Sequence, residues 1–519
     1  MTSIEYIIDH SPALIIAIPL LGAFLTPLVS RLGSRIRNVF VIIVAMLTAF
    51  LVFLLASDVF SDGIRTYIFG SQDLTTPVVR ILFEVDGISI FMAIISVLLS
   101  LLAAIYSWSF MKKYDGLDKY YTLLLLMTAG MLGMELTGDM FNFFVFLEIT
   151  SISSCALIAF WTHKGEAVEA GFKYIVVSAV GALFVLFAVA LLYGQYNALN
   201  IATLANTIQY SFLDKIAFVL LITALGMKAG LVPMHMWLPD SYSQAPSSVT
   251  LILVGATQAS LYGVFRMCFT LYGGVFADGI LSSMTVGWFI VVLALVTILI
   301  GVTMAIIQTD FKRLIAYAAV AELGYMFLGI GVGLTAMGTS YGKTALDGGV
   351  FHILNDALDV GLLFLVAGSI YYATKERDLD RMGGLARNMR YTSMFFIIGL
   401  LAVAGMPPMN GFASKLLIYE STYQLSPILS IIAILSSILL LAVFVKVFHS
   451  VFMGPELPRF RDVQEVPRSM LLAMGIIALI IIVIGLIPGI VVENIVQPAA
   501  NSLVNHLDYI SHVISIGGV

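Results

Sequence analysis

Residues 216–240 read IAFVLLITALGMKAGLVPMHMWLPD, in which the apolar run 216–232 contains one lysine and is followed by a proline. The run is long enough to enter a lipid bilayer, where a charged lysine is costly to bury, so Lys228 indicates a functional site. Pro233 is expected to break the helix just beyond this lysine. Helix breaks occur at membrane depth only where the freed backbone packs in protein or lines a wet cavity. The stretch therefore predicts a path for an ion or a proton.

The composition places the whole chain in the lipid bilayer. Its 519 residues are 60% hydrophobic and only 11% charged, whereas soluble domains are about 25% charged. The charges are dispersed and form no basic patch, which excludes nucleic acid as a partner. Cys155 and Cys268 are too few to hold an iron–sulfur cluster or a cysteine-based zinc ion. We therefore expect no cofactor in this chain and no redox chemistry of its own.

Fourteen apolar segments predict an all-α polytopic membrane protein, because each is near the roughly 20 residues that a helix needs to cross the hydrocarbon core. The predicted spans are residues 12–30, 38–57, 88–110, 119–137, 140–161, 172–193, 216–238, 247–271, 280–308, 314–334, 348–372, 390–418, 425–452 and 470–492. The loops on one side carry 18 lysines and arginines, and those on the other side carry five. The basic side is predicted to face the cytoplasm, in the cell membrane. Because the number of spans is even, both termini are then expected on the outer side.

A second break is predicted in span twelve, where residues 405–411 read GMPPMNG and Lys415 follows. Spans seven and twelve are five spans apart, so they run in opposite directions. This predicts two inverted five-helix repeats, an arrangement that transporters use to build a site at the repeat interface. The predicted division of the chain is three N-terminal spans in residues 1–118, the first repeat in 119–271, the inverted repeat in 280–452, and the last span with a tail in 453–519.

Ionisable residues at membrane depth are few. Glu148 lies about 9 residues into span five, roughly 13 Å along a helix, and Glu322 lies within span ten. Span eleven carries four polar residues spaced i, i+3, i+4 and i+7, which share one face of a helix. They are His352, Asn355, Asp356 and Asp359. Two carboxylates one turn apart repel each other, so either one holds a proton or a cation lies opposite them.

These residues permit charge-coupled proton transfer. If Glu148 is drawn away from Lys228, the buried lysine releases its proton along waters, and His352 suits a relay because imidazole titrates near neutral pH. Lys415 would then be the opposite end of the path. Three other interpretations stay open: Glu148 and Lys228 form a structural ion pair, Glu322 only hydrogen-bonds across helices, or the aspartates bind sodium, a hard cation that oxygen ligands suit.

Four motifs, in this order, resemble those of the Mrp-type antiporter and complex I proton-pump family. They are LTGDMFNFFVFLE at 136–148, KAGLVP at 228–233 with WLPD at 237–240, QTDFKRLIAY at 308–317, and GMPPMNG at 405–411 with Lys415. The resemblance covers nearly the whole chain, and the chain looks most like antiporter D-type and membrane-bound hydrogenase or sulfane reductase H-type subunits. It implies fourteen spans, two inverted repeats, and a proton path from Glu148 and Lys228 to Lys415.

The resemblance also implies partners. Members act inside multisubunit sodium/proton antiporters, NADH–quinone oxidoreductases, and membrane-bound hydrogenases or sulfane reductases, so we expect other membrane and peripheral subunits around this chain. Iron–sulfur and nickel–iron centres are expected in those partner subunits. The transported ion is expected to be the proton, with Na⁺ as the alternative.

The chain departs from the family pattern at two positions. The family usually has a lysine in span eight, in the region of Gln258, and often one in span eleven where this chain has Val360. Asp356 and Asp359 replace these lysines with acids, or the path is broken. We favour a proton-translocating subunit of a redox-driven complex. The alternatives are a subunit of a sodium/proton antiporter and a structural subunit that conducts no ions.

Overall fold

The computed structural model describes residues 3–69, 81–273 and 281–517, which form an almost entirely helical bundle. Eleven helices within these ranges are long and apolar enough to cross a membrane, so the chain is a multi-pass membrane protein. The predicted spans four, seven and twelve are not among the eleven. Spans seven and twelve are interrupted by breaks, and the helix of span four carries Asp118, Lys119 and Glu135.

The N-terminal part contains five helices and one hairpin. The helices are α1 (Ser3–Ser30), α2 (Ser34–Asp62), α3 (Gly87–Phe110), α4 (Leu117–Leu136) and α5 (Met140–Ile158). Strands β1 (Arg65–Phe69) and β2 (Ile81–Val85) pair antiparallel, with Arg65 opposite Val85. This hairpin corrects the all-α prediction, because two five-residue strands leave little trace in a sequence dominated by apolar spans. The side of the molecule that carries it is called the hairpin side below.

The remaining helices follow in chain order. They are α6 (Gly165–Tyr196), α7 (Ile201–Thr207), α8 (Phe212–Lys228), α9 (Trp237–Gln244), α10 (Ser247–Phe265), α11 (Ser283–Ile306), α12 (Phe311–Thr335), α13 (Ser340–Thr374), α14 (Arg390–Val403), α15 (Asn410–Leu425), α16 (Pro427–Phe448), α17 (Arg468–Leu486), α18 (Pro488–Val491), α19 (Gln497–Val504) and α20 (His506–Gly517). A π-helical turn, Arg266–Leu271, continues α10. Residue 280, where span nine and the second repeat are predicted to begin, lies outside the described residues.

Helix α13 lies at the centre of the bundle. It is 35 residues long and packs against α3, α10, α12, α14, α15 and α17. Its polar residues are therefore surrounded by other helices on every side. This position makes α13 the element that can connect the first half of the chain with the second.

Two helices end in the same kind of break. Each break has a glycine with positive φ, 82° at Gly230 and 68° at Gly405, a conformation that glycine adopts without steric cost. The hydrogen bonds are also the same: Gly230 N–H to Met227 O and Leu231 N–H to Gly226 O in the first break, and Gly405 N–H to Ala402 O and Met406 N–H to Leu401 O in the second. This pair of bonds defines a Schellman motif, which ends a helix. Helix α8 therefore ends at Lys228, ten residues before the predicted limit.

Candidate ion-translocation site

Lys228 is the last residue of α8 and is buried against α5. Asp139 caps the start of α5 by accepting a hydrogen bond from Asn142 N–H at 2.7 Å, and Ser151 lies on the fourth turn of that helix. The Lys228 Nζ donates a hydrogen bond to Ser151 Oγ at 2.5 Å. Glu148 precedes Ser151 by three residues, so the two share one face of α5.

Glu148 and Lys228 do not form a contact ion pair. Within the described ranges, no carboxylate oxygen lies within 4.0 Å of the Lys228 ammonium group. Glu148 is half-buried, and its Oε1 has no hydrogen-bond partner among the same residues. The structural ion pair considered from the sequence is therefore absent from this structure, and the lysine is held by a neutral hydroxyl group.

Each of the two breaks has a buried lysine beside it. Lys228 is the last residue of α8, and the Lys415 Nζ donates to Val403 O, the last residue of α14, at 2.6 Å. Unpaired carbonyl groups at a helix C-terminus favour a cation. Val403 precedes Gly405 by two residues, as Lys228 precedes Gly230. Lys228 thus belongs to the helix that ends at its break, whereas Lys415 reaches the end of α14 from α15.

Lys415 belongs to a cluster of three buried ionisable side chains. The Glu322 carboxylate of α12 bridges the other two: its Oε1 is 2.8 Å from Lys415 Nζ, and its Oε2 is 2.9 Å from His352 Nε2 of α13. Lys415 also donates to Ser437 Oγ at 3.2 Å and lies 4.5 Å from the centre of the Tyr325 ring. The arrangement lets a proton on the histidine and one on the lysine compete for the same carboxylate.

Neutral polar groups hold α13 against the start of α15. His352 Nδ1 lies 3.0 Å from Ser414 Oγ. The Asn355 side-chain amide donates to the same hydroxyl at 2.8 Å and to Asn410 O at 3.0 Å. These bonds fix the orientation of the imidazole, which keeps its Nε2 towards Glu322.

Asp356 and Asp359 of α13 have no cationic partner among the residues that the structure describes. Gln258 of α10 donates to Asp356 Oδ2 at 2.9 Å and to Ile353 O at 3.1 Å. A Cβ atom at Gly411 would lie 3.1 Å from Asp359 Oδ2, so this carboxyl group packs against the start of α15. No lysine, arginine or histidine nitrogen of the described chain lies within 4.0 Å of either aspartate. A charged carboxylate without a counterion is costly in such a place, which favours a bound proton.

A small cavity lies between Lys228 and α10. Its volume is about 20 Å³, enough for one water molecule. The hydroxyl groups of Ser151 and Ser178 line one side, and those of Thr257 and Ser260 on α10 line the other. Because Thr257 and Ser260 flank Gln258 in sequence, the cavity connects the lysine with the helix that contacts Asp356.

The structure brings all eight predicted site residues into two groups. Lys228 lines the cavity, and Glu148 lies on α5 three residues before Ser151, which also lines it. The other six residues lie around α13: Gln258, Asp356, Asp359, His352, Glu322 and Lys415. Sequence reasoning missed Ser151, Ser414 and Ser437, each of which contacts one of these charged or polar side chains. Ser151 could have been found, because it follows Glu148 by three residues in an apolar helix.

Comparison with known proteins identifies related sequences along most of the chain. The family described as NADH:quinone oxidoreductase/Mrp antiporter, TM, matches residues 137–441, and that described as NADH-ubiquinone oxidoreductase (complex I), chain 5 N-terminus, matches residues 75–121. NADH-quinone oxidoreductase subunit N of Desulforudis audaxviator is 31% identical over 94% of this chain and 98% of its own length. One subunit of the Na(+)/H(+) antiporter of Alkalihalophilus pseudofirmus is 29% identical over 93% of this chain, which spans only 62% of that relative.

Two solved structures share the fold. A chain of the Mrp complex from Dietzia sp. DQ12-45-1b matches with a TM-score of 0.85 and 24% identity, over 98% of this chain and 99% of its own. A chain of the membrane-bound sulfane sulfur reductase, an archaeal respiratory membrane complex, matches with a TM-score of 0.84 and 28% identity, over 97% and 99%. Both matched chains come from membrane complexes, and both superpose over nearly their full lengths.

Proposed function

Because this chain belongs to the NADH:quinone oxidoreductase/Mrp antiporter family, we propose that it is an ion-translocating subunit of a multisubunit, redox-driven membrane complex. Its transported ion is the proton. The observation that carries this proposal is the buried row Lys415–Glu322–His352, in which one carboxylate contacts two groups that can each carry a proton. A row of this kind has no counterpart in a bundle that is held together by apolar packing alone.

The path runs across the middle of the protein in three steps. Glu148 controls the proton on Lys228, and the water-sized cavity beside Lys228 passes it to the neighbourhood of Gln258. Asp356 and Asp359 carry the proton along α13 in place of the family's missing lysines. From α13 it reaches the row formed by His352, Glu322 and Lys415. The contact of Gln258 with Asp356 supports the middle step, because it joins α10 to α13.

We also propose that the chain contains fourteen spans with two inverted five-helix repeats, in residues 119–271 and 280–452. The identical hydrogen-bond patterns of the two breaks support this proposal; their glycines, Gly230 and Gly405, are separated by 405 − 230 = 175 residues. The same separation leads from Glu148 to Leu323, the neighbour of Glu322. The basic loops favour an orientation with both termini on the outer side of the cell membrane.

The solved structures that resemble this chain support the proposal that it has partner subunits. The structural neighbours belong to an Mrp complex, to a sulfane sulfur reductase complex and to respiratory complex I. In the proposed complex, iron–sulfur and nickel–iron centres reside in peripheral partners, and this chain contributes only the ion path.

A subunit of a sodium/proton antiporter is the second candidate function. The similarity to the antiporter protein of Alkalihalophilus pseudofirmus supports it, as do two buried aspartates without a counterion, whose oxygens suit a hard cation. A structural subunit that conducts no ions is the third candidate, because spans eight and eleven lack the family's lysines.

Proton uptake by vesicles that contain the assembled complex tests the proposal. Lys228→Met and Glu148→Gln should each remove most of the uptake, because each deletes a charge at one end of the path. Lys446→Met is the matched control, since this lysine of α16 is exposed and lies away from the path. Undiminished uptake in both test variants would refute a proton path through this chain. Uptake that requires added Na⁺ would favour the antiporter function.

A further inference from the structure

A second buried polar column follows α3 and is not part of the path described above. Four serines on α3 are spaced by seven, four and seven residues, which places them on one face of the helix. They are Ser89, Ser96, Ser100 and Ser107, and all are buried. Each of the four hydroxyl groups has a polar side-chain partner on α4 or α10.

Glu135 is the acid within this column. It lies near the end of α4, is fully buried, and accepts a hydrogen bond from Ser96 Oγ at 2.5 Å. Its other oxygen, Oε2, has no hydrogen-bond partner in the part of the chain that the structure describes. No described cation lies within 4.0 Å of it either. A carboxyl group in this situation is costly to ionise, so it is a site for a proton.

Polar groups connect Glu135 with the hairpin side of the molecule. The Tyr262 hydroxyl of α10 donates to Glu135 O at 3.0 Å and lies 3.0 Å from Ser89 Oγ. Arg266 donates to the Tyr262 hydroxyl at 3.0 Å and forms a bidentate pair with Asp86, at 2.7 and 2.8 Å. The chain of contacts therefore runs from Asp86 at the start of α3 to the main-chain carbonyl of Glu135, one residue's length from its carboxyl group.

The hairpin-side end of this chain opens into a large cavity. Its volume is about 580 Å³, and its lining includes Asp86, Ser502, Asn505 and Tyr509. The Tyr509 ring of α20 covers Arg266, with 4.6 Å between the ring centre and Arg266 Cζ. The cavity is roomy enough for many waters and has polar side chains in its lining, so it can supply protons to the buried groups behind it.

A second acid lies behind Tyr509. Both carboxylate oxygens of Glu84 and the Tyr509 hydroxyl are buried without a hydrogen-bond partner among the described residues. A Cβ atom at Gly138 would lie 3.1 Å from Glu84 Oε2 and 3.5 Å from the Tyr509 oxygen, so both groups lie beside Gly138. Burial raises the pKa of Glu84 well above its usual value. Burial alone would raise the pKa of Asp86 too, but the charge and hydrogen bonds of Arg266 lower it.

We propose that Glu135 is a proton-binding site that exchanges protons with the hairpin-side cavity through the polar groups around Arg266 and Tyr262. This column gives the first half of the protein its own access to one side of the membrane. The inference rests on the proposed ion-translocating function, since it assigns a further residue to the same transport. It differs in location, because α3 and α4 contribute none of the residues of the Lys228–Lys415 path.

Infrared spectroscopy of the assembled complex tests the proton site directly. We expect a carbonyl stretching band of a protonated carboxyl group that disappears in Glu135→Gln, persists in Glu135→Asp, and shifts when the sample is transferred to D₂O. Glu166→Gln is the matched control, because Glu166 is exposed at the start of α6. A spectrum in which Glu135→Gln removes no band, or removes a band that does not shift in D₂O, would overturn the inference.

A cysteine variant tests the route from the cavity. Asn505→Cys places a thiol in the cavity lining, and its reaction with a bulky, membrane-impermeant reagent should slow the D₂O shift of the Glu135 band. The same reagent at Ser340→Cys should leave the shift unchanged, because Ser340 is exposed and does not line the cavity. An equal rate of exchange in the two labelled variants would rule out this route.

Transport separates this inference from the proposed function. Loss of proton uptake in Glu135→Gln is expected, whereas normal uptake in that variant together with loss in Lys228→Met would overturn only the inference. Normal uptake in Lys228→Met and Glu148→Gln would refute the proposed function, and the infrared band would still report on Glu135.

Discussion

Glu322 is the buried carboxylate that links the other two ionisable groups of the cluster around Lys415. Its two oxygens contact Lys415 and His352, and all three groups are buried. Charges taken out of water are stable only when they are paired, so the carboxylate is what allows the lysine to stay charged. Removing it leaves a buried ammonium group with a carbonyl, a hydroxyl and an aromatic ring as its neighbours.

Glu322→Ala should therefore lower the free energy of unfolding by about 3 to 5 kcal/mol, the usual cost of leaving one partner of a buried pair uncompensated. Unfolding of the purified protein in denaturant measures the change. The double variant Glu322→Ala/Lys415→Met should recover part of the loss, because it removes the orphaned charge. Glu420→Ala, at an exposed position of α15, is the control. Equal stability of the Glu322 and Glu420 variants would contradict the expectation.

Glu84 makes the stability of the hairpin side depend on pH. Its pKa is raised by burial, so the folded protein binds this proton more tightly than the unfolded chain, whose pKa is about 4.3. The resulting stabilisation is complete when the pH is below the pKa that Glu84 has in the unfolded chain. It is lost as the pH rises through the pKa that Glu84 has in the folded protein. Between pH 5 and 9, the melting temperature of Glu84→Gln should consequently fall less than that of the wild type. Parallel melting curves across this range would show that Glu84 does not titrate.

At the scale of helices, the two breaks determine where the lysines lie. Each break has a Schellman motif whose glycine has positive φ, and any other residue pays a steric cost in that conformation. Pro233 and Pro408 each follow the glycine by three residues and cannot continue the helix. The breaks thus leave helix C-termini inside the bundle, where both ammonium groups are found.

Gly405→Ala tests the role of the second break. The added Cβ would lie 2.9 Å from Lys415 Cδ, and the left-handed backbone adds a cost of about 1 to 2 kcal/mol. We expect a lower melting temperature and reduced proton uptake. Gly194→Ala is the matched control, because a Cβ there meets no atom within 4 Å and its backbone is helical. Uptake that is unchanged in Gly405→Ala would mean that the geometry of the break does not position Lys415 for transport.

For the whole molecule, the proposed function predicts that partner subunits remain bound to this chain. Affinity purification of the intact chain from its membrane in mild detergent should bring along partner subunits, and the preparation should contain iron, with nickel if the complex is of the hydrogenase type. Metal analysis and mass spectrometry measure both. A preparation with partner subunits but no iron would favour the sodium/proton antiporter function over the redox-driven one.

The membrane orientation can be tested at the same scale. Asp462→Cys lies in the exposed, basic loop before α17, and Ser340→Cys lies in the exposed segment at the start of α13. In intact cells, an impermeant thiol reagent should label Ser340→Cys and leave Asp462→Cys unlabelled, in a background lacking Cys155 and Cys268. The reverse pattern would place the basic loops and both termini on the other faces of the membrane.

The apolar spans, the two breaks and the small set of ionisable residues at membrane depth could all be predicted from the amino-acid sequence. These are local properties: hydropathy over about 20 residues decides whether a helix can cross the bilayer, and glycine and proline end a helix through their own backbone conformations. The family motifs are local as well, because each lies within a short stretch of sequence. The predicted span seven extended to residue 238, ten residues beyond the end of α8 at Lys228, because the prediction did not include the Schellman motif at Gly230.

Which polar groups contact each other became known from the packing of the helices. Lys228 contacts Ser151 instead of Glu148, Glu322 joins His352 to Lys415, and Gln258 reaches Asp356. The partners come from helices far apart in sequence, so their pairing depends on how the helices pack and no local pattern encodes it. The hairpin and the Glu135 column were unpredicted for the same reason, since serines along one helix acquire a role only when α4 and α10 place polar groups against them.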